Sequence, residues 1–133
     1  MSEFKLPANG AFCWNELATT DLESAQNFYK TLLGWEIKES NATGGGMVYN
    51  EIVVAGQHVG GVYKMGPEFG QTPAHWMAYV AVEDVDAKAR QVWELGGKVC
   101  VPPTDIPAVG RFCVVNDPTG ATIALITLKG SQS

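Results

Sequence analysis

Most of the features that announce a function are scarce in this chain. Arginine occurs only as Arg90 and Arg111, and the lysines are scattered. No basic patch or basic helix face is available to a phosphate backbone, so no nucleic-acid partner is expected. The three cysteines, Cys13, Cys100 and Cys113, are odd in number and contain no Cys-x-x-Cys pair. Zinc-finger spacing is therefore excluded, and each thiol, lying in an apolar run, reads as buried and reduced. No apolar run approaches the roughly 20 residues that cross a bilayer. The start, "MSEFKLPANG", has neither a basic opening nor an apolar core of the signal-peptide kind. These absences point to a cytoplasmic protein with no membrane partner. No Ser-His-Asp arrangement, P-loop or dinucleotide fingerprint is present. The "GGG" at 44–46 precedes no helix that would bind phosphate and reads as a hairpin tip.

What is present is a core and a repeat. The 133 residues are 46% hydrophobic with a net charge of −5, which suits one compact domain or two small modules sharing a core. Placing Asp21 over Asp84, an offset of 63 residues, aligns Leu22 with Val85, Glu23 with Asp86, Leu32 with Leu95 and Gly34 with Gly97. The repeated order is apolar strand, acidic helix start, amphipathic helix, glycine stop and further strands. The first helix is predicted to start at Thr20 or Asp21, with Thr20 and Glu23 as a capping box. Its apolar stripe would be Leu22, Ala25, Phe28, Tyr29, Leu32 and Leu33, and Gly34 would end it. In the second copy Asp84 caps, Val85, Ala89, Val92 and Trp93 form the stripe, and Gly96-Gly97 stops it. Strand signals follow each helix, in "GWEIKE", "MVYNEIVVAG" and "HVGGVYKM", then in "KVCVPP", "RFCVVNDPTG" and "ATIALITL". "NDPTG" is a turn set by Pro118 and Gly120, and "VAGQ" plays that part in the first half.

"TDLESAQNFYKTLLGW", "VAVEDVDAKARQVWELGGKV" and "GRFCVVNDPTGATIAL" together resemble the vicinal oxygen chelate superfamily, which includes glyoxalase I, bleomycin resistance proteins and extradiol dioxygenases. The resemblance runs from residue 10 to about residue 128. It implies an α+β fold in which two βαβββ modules form a curved mixed sheet around a cavity. Module 1 would span about 10–65, a linker about 66–74 and module 2 about 75–128, all within one glyoxalase/bleomycin-resistance-like domain, 1–133. In members that chelate a metal, the ligands sit on the first and last strand of each module. Carried onto this chain, those positions are Trp14, Gly60, Met77 and Ala124, none of which is an N or O donor for a divalent metal. No metal and no other cofactor is therefore expected. A shifted site built from Glu16, His58 and His75 is the alternative.

If the ligand positions face inward, alternation along the strands extends the cavity wall. Phe12, Trp14 and Glu16 would line it from the first strand, and His75, Met77 and Tyr79 from the fifth. His58, Gly60 and Val62, then Thr122, Ala124 and Ile126, would line it from the last strands. Cys13, Asn15 and Leu17, with Ala78, Val80 and Val82, would face the helices. Rings, a thioether and few polar groups suit a planar or amphipathic small molecule. Gly60 and Ala124 would leave room where relatives carry a carboxylate. Glu16, beside Trp14, is a candidate general base or receiver of a cationic group, unless it is exposed or ion-paired. His75 is the second catalytic candidate. Arg111 would grip a substrate anion or pair with a surface carboxylate. Three functions follow: a metal-free small-molecule binding protein, a lyase or dioxygenase-like enzyme of the same superfamily that is metal-free through Glu16 or His75 or uses the shifted metal site, and an assembly module; a homodimer is expected.

Overall fold

The computed structural model describes residues 7–40 and 49–129, so the glycine run at 44–46 lies outside the described residues. Two compact units divide the chain. The first is Trp14–Met77, and the second joins Met1–Cys13 to Ala78–Ser133.

In the first unit β1 (Phe12–Thr19, here from Trp14 onward) leads into α1 (Leu22–Leu33), β2 (Glu36–Ser40), β3 (Tyr49–Val54) and β4 (Gln57–Lys64). The helix starts at Asp21, whose extended backbone lets its side chain accept from the Ser24 N–H at 3.0 Å. One of the helix's unpaired donors is thereby satisfied. Thr20 is not the cap, so the predicted Thr20–Glu23 box does not form as such. The hydroxyl that helps is that of Thr19, which accepts from the Asp21 N–H at 3.2 Å. Gly34 ends the helix with φ 73°, in the left-handed region. The β3–β4 turn is a tight one, with positive φ at both Ala55 and Gly56 between the paired Val54 and Gln57.

The strands of this unit lie in the order β2-β3-β4-β1, with β1 parallel to β4 and the other pairs antiparallel. One sheet face carries the buried Leu17, Ile52 and Val62, against which Leu22, Ala25, Tyr29 and Trp35 pack. Tyr29 stacks on Trp35 at 5.1 Å, and Trp76 meets both rings edge-on. Phe28, Leu32 and Leu33, predicted as part of the packed stripe, remain exposed.

The second unit repeats the order with β5 (His75–Ala81, here from Ala78), α2 (Val85–Glu94), β6 (Lys98–Ile106), β7 (Gly110–Asn116) and β8 (Thr122–Leu128). Its strand order is β5-β8-β7-β6, again with a parallel first pair. Asp84 caps α2 by accepting from the Ala87 N–H at 3.1 Å. Val85, Ala89, Cys113 and Val115 form the core, joined by Val82, Val92, Val99, Ile123 and Leu125. Trp93, predicted to complete the stripe, is exposed instead. The N-terminal stretch is tied on by hydrogen bonds from the Gly10 N–H to the Ala81 carbonyl and from the Ala81 N–H to the Ala11 carbonyl. Both units are thus βαβββ modules, and the α+β class stands. The thiols differ from expectation. Cys113 is buried and Cys13 half-buried, but Cys100 is exposed on β6, the edge strand of this unit's order.

Candidate functional site

On the face of the first unit opposite α1, three side chains from two strands form a directed chain of hydrogen bonds. The Trp14 indole N–H donates to the Tyr49 hydroxyl at 2.9 Å. The Tyr49 hydroxyl donates to Glu16 Oε2 at 2.7 Å. An indole nitrogen can only donate, so the phenol oxygen must accept from it and send its own proton on to the carboxylate. Trp14 and Glu16 share this face because they are two apart on β1, while Leu17 packs against α1 with Val62 and Ile52. The parity predicted for β1 therefore holds from Trp14 to Leu17.

Tyr49 reaches Glu16 by crossing β4 at Gly61, the register partner of both Glu16 and Glu51. A Cβ on Gly61 would overlap the Tyr49 hydroxyl and ring. The Tyr63 ring stacks on Tyr49 at 6.4 Å, and Phe69 lies 6.0 Å from Tyr63. Burial, followed by the Glu16 charge and the hydrogen bond to it, raises the Tyr49 phenol above its ordinary range. Burial, then the charges of Glu16 and Glu68, pushes Tyr63 up to about 12.

β4 departs from the predicted alternation. Val53 pairs with His58 and Ile52 with Gly60, so Val59 has no partner across the ladder. This bulge moves every later residue to the other face. His58 lies opposite α1, where it was predicted, and contacts Glu51. Gly60 and Val62 lie on the α1 side instead. A Cβ on Gly60 would come within 2.5 Å of the Asn15 carbonyl oxygen and 3.4 Å of Ile52 Cδ1. Gly60 therefore permits close packing of β1, β3 and β4 and leaves no open space. Gly61 and Tyr63 occupy the face assigned to Gly60 and Val62.

His75 begins β5 with its Nδ1 2.9 Å from the Pro73 carbonyl oxygen. Met77 is half-buried. The shifted metal site of Glu16, His58 and His75 does not assemble. Each of the three is engaged locally, with Tyr49, Glu51 and Pro73 respectively. Among the described residues no three of His, Cys, Asp and Glu come together in a way that would hold a metal ion.

In the second unit Tyr79 is buried and tilted against Phe112 at 6.4 Å, and it pairs in register with Ala124. Both lie on the face away from α2, as predicted, since Cys113 and Leu125 pack on the helix side. Ala124 is 0% exposed and lies in register with Tyr79 on one side and Val114 on the other. Phe12 is 70% exposed. Arg111 lies on the α2 side. It donates to both carboxylate oxygens of Asp86, at 2.9 and 3.1 Å, and to Asp105 at 3.1 Å. Its guanidinium is thus spent on a structural pairing, the plainer of its two predicted roles, and it holds the Asp86 carboxyl below the usual range. A cavity of about 410 Å³ lies elsewhere in this unit, lined by Asn9, Ala81, Val82, Glu83, Thr127 and Leu128 among others, and includes none of the candidate residues.

Tyr49 and Tyr63 are the members of the site that sequence reasoning missed. Their signal was the Gly60-Gly61 pair inside a strand, since a glycine there marks close approach by another group.

The sequence profile of the Glyoxalase/Bleomycin resistance protein/Dioxygenase superfamily matches residues 12–125. CFP32 of Mycobacterium tuberculosis, a candidate glyoxylase by its name, is 39% identical over 113 residues, covering 84% of this chain and 43% of that protein. The anthracycline biosynthesis protein DnrV of Streptomyces peucetius is 32% identical over 130 residues, covering 89% of this chain and 47% of that protein. The chain spans less than half the length of these curated relatives. Methylmalonyl-CoA epimerase of Mycobacterium tuberculosis superposes with a TM-score of 0.62 at 18% identity, covering 95% of this chain and 94% of that one. The Streptomyces coelicolor methylmalonyl-CoA epimerase solved with 2-nitronate-propionyl-CoA gives 0.61 at 16% identity, covering 92% and 100%. Both share the fold.

Proposed function

Because this chain belongs to the glyoxalase/bleomycin resistance protein/dioxygenase superfamily, we propose that it is a small-molecule binding protein of that superfamily that works without a resident metal ion. The observation that carries this reading is the face of Trp14, Glu16, Tyr49 and Tyr63. It sets aromatic rings around one oriented carboxylate, the composition of a site for a planar or amphipathic ligand. The CoA ester held by the Streptomyces coelicolor epimerase is in keeping with an organic ligand on this fold. The metal-free part rests on donor chemistry. At the positions that the resemblance assigns to chelation, Trp14, Met77 and Ala124 carry no N or O ligand for a divalent metal, and Gly61, which takes the place on this face expected of Gly60, carries none either. The residues present do not fit a resident divalent ion.

The test is a thermal-shift screen with planar and amphipathic compounds, run beside metal analysis of the purified chain. A binder stabilises by RT ln(1 + [L]/Kd), and the shift should shrink in Trp14→Ala. Stoichiometric zinc, nickel, manganese or iron would sink the metal-free part. A broad panel without any shift would sink the binding reading. The proposal includes a homodimer, which sedimentation velocity should detect, and a monomer at all concentrations would remove it.

A second reading makes the chain an enzyme using Glu16 or His75. Its favouring observation is that Glu16 is half-buried and held in one orientation by Tyr49. Turnover lost in Glu16→Gln, with ligand affinity kept within about tenfold, would support this reading over simple binding.

A further inference from the structure

Glu51 on β3 and His58 on β4 share the side of the first unit away from α1, and His58 Nδ1 meets Glu51 Oε1. An ionised carboxylate only accepts, so the ring proton sits on Nδ1. The other nitrogen, Nε2, then carries the lone pair of the neutral ring. Burial grades the pair outward. The Glu51 side chain is 17% exposed and the His58 side chain 56%, so the carboxylate is the inner member and the imidazole the one a ligand can reach.

Two observations tie this pair to the face of Trp14, Tyr49 and Tyr63. The Tyr49 phenol, held above its ordinary range first by burial and by Glu16, is raised further by the charge of Glu51. Val53, the register partner of His58, is buried, so the strand position opposite the imidazole is dry. The other charged and titratable groups on this face, among the described residues of the unit, are Glu36 and Lys38 on β2, Tyr49 on β3, Glu16 on β1 and Tyr63 on β4, with Glu68 near Tyr63. Lys38 pairs with Glu36 at 3.5 Å, and Glu16 accepts from Tyr49. The carboxylate that meets the imidazole is therefore Glu51. His75 has a neutral backbone carbonyl in the corresponding place, which offers no counter-charge to an imidazolium.

We infer that His58, oriented by Glu51, accepts a proton from a ligand with a weakly acidic hydroxyl, a phenol or enol on a flat ring system. On binding, the ligand O–H bond breaks, its electron pair stays on the ligand oxygen, and the proton forms an N–H bond at His58 Nε2. The imidazolium then lies between two anions, Glu51 and the ligand oxygen, and donates a charge-assisted hydrogen bond to each. Glu51 is the positioning residue, since it sets the tautomer and meets the charge that forms. The inference rests on the binding reading above and adds the chemical class of the ligand and the residue that reads it.

The probes are para-nitrophenol and its methyl ether, para-nitroanisole, which share a ring while only the phenol can give up a proton. Each is titrated with the full chain at a pH just below that at which free nitrophenol is half ionised, and visible absorption measures the nitrophenolate. Bound phenol should show more of the anion than free phenol. It should also bind at least about tenfold more tightly than the ether, the worth of one charge-assisted hydrogen bond. Both effects should vanish in His58→Phe and shrink in Glu51→Gln. The nitrogen NMR spectrum of the ligand-free chain, taken where the ring is neutral, should place the His58 proton on Nδ1 and show it shifting toward Nε2 in Glu51→Gln. A carboxylate that only braces the strands would leave that tautomer unmoved. An ether that binds as tightly as the phenol, an anion fraction no higher than in solution, or a His58 proton on Nε2 in the parent chain overturns the inference and leaves the binding reading intact. A failure of both probes to bind counts against the binding reading itself, and the role of His58 falls with it.

Discussion

Gly61 lies beneath the phenol of Tyr49, so that a side chain at position 61 and the ring at position 49 cannot occupy their places together. This gives a double-mutant test. Gly61→Ala should lose about 1–3 kcal/mol of stability in urea denaturation, as overpacking does in a filled site. In a Tyr49→Ala background the same substitution should cost much less, because the overlapping ring is gone. Equal losses in both backgrounds would mean that the two residues do not compete for space.

Tyr49→Phe keeps the ring and removes the hydroxyl that links Trp14 to Glu16. The indole N–H and the carboxylate each lose a partner in a part-buried setting, which should cost about 1–2 kcal/mol. Chemical denaturation measures the loss, and near-ultraviolet circular dichroism should report the altered tryptophan environment. An unchanged midpoint and spectrum would contradict the hydrogen-bond chain.

At alkaline pH the tyrosines make stability fall. Tyr63 is raised from its ordinary value of 10.0 to about 12, so the unfolded chain releases this proton first. Its contribution is present below pH 10 and is lost as pH rises through the folded value. The slope of stability against pH between 10 and 12 should therefore be shallower in Tyr63→Phe than in the parent chain. Parallel slopes would contradict the shift.

Arg111→Met removes the fork that holds Asp86 and Asp105. The Asp86 carboxyl is depressed chiefly by its hydrogen bond to Arg111. Its contribution is thus present above the ordinary carboxylate range and is lost as pH falls through the lowered folded value. The variant should be less stable than the parent at neutral pH, and the gap should narrow in acid and in high salt. A gap independent of both would point to lost packing by the arginine stem.

Thiol labelling should separate the three cysteines. Cys100 is exposed and should react first, and Cys13, half-buried with its thiol raised by burial, should react slowly. Cys113, buried and raised by burial and by the Asp86 charge, should react only on unfolding. Fast loss of the Cys113 thiol in the native protein would contradict its placement.

The repeat, both helices, the caps at Asp84 and Gly34, and the turn at "VAGQ" were legible because each is a local signal. The parity of β1 was legible too, since Leu17 marks the helix side and Glu16 follows from alternation. The face of Gly60 was not. It depends on one unpaired residue, Val59, and the Gly60-Gly61 pair beside it marks an irregular strand without saying which residue bulges. Tyr49 escaped for a related reason. Its partners are 33 and 35 residues away, and only the glycine opposite it hints that a ring crosses there. The exposed Phe28, Leu32 and Trp93 show the limit of helical periodicity, which finds an apolar stripe but not how far the sheet extends beneath it.

The two helices are held with different strength. α1 has no fully buried residue, whereas α2 buries Val85 and Ala89 and is pinned by a two-pronged arginine grip on Asp86. In a hydrogen–deuterium exchange experiment that difference becomes a ranking of opening energies. The amides of α1 should exchange through local release of the helix while those of α2 wait for larger openings of their own unit. One copy of the repeat would then be the first to breathe, and the carboxylate that follows Trp14 sits in that copy.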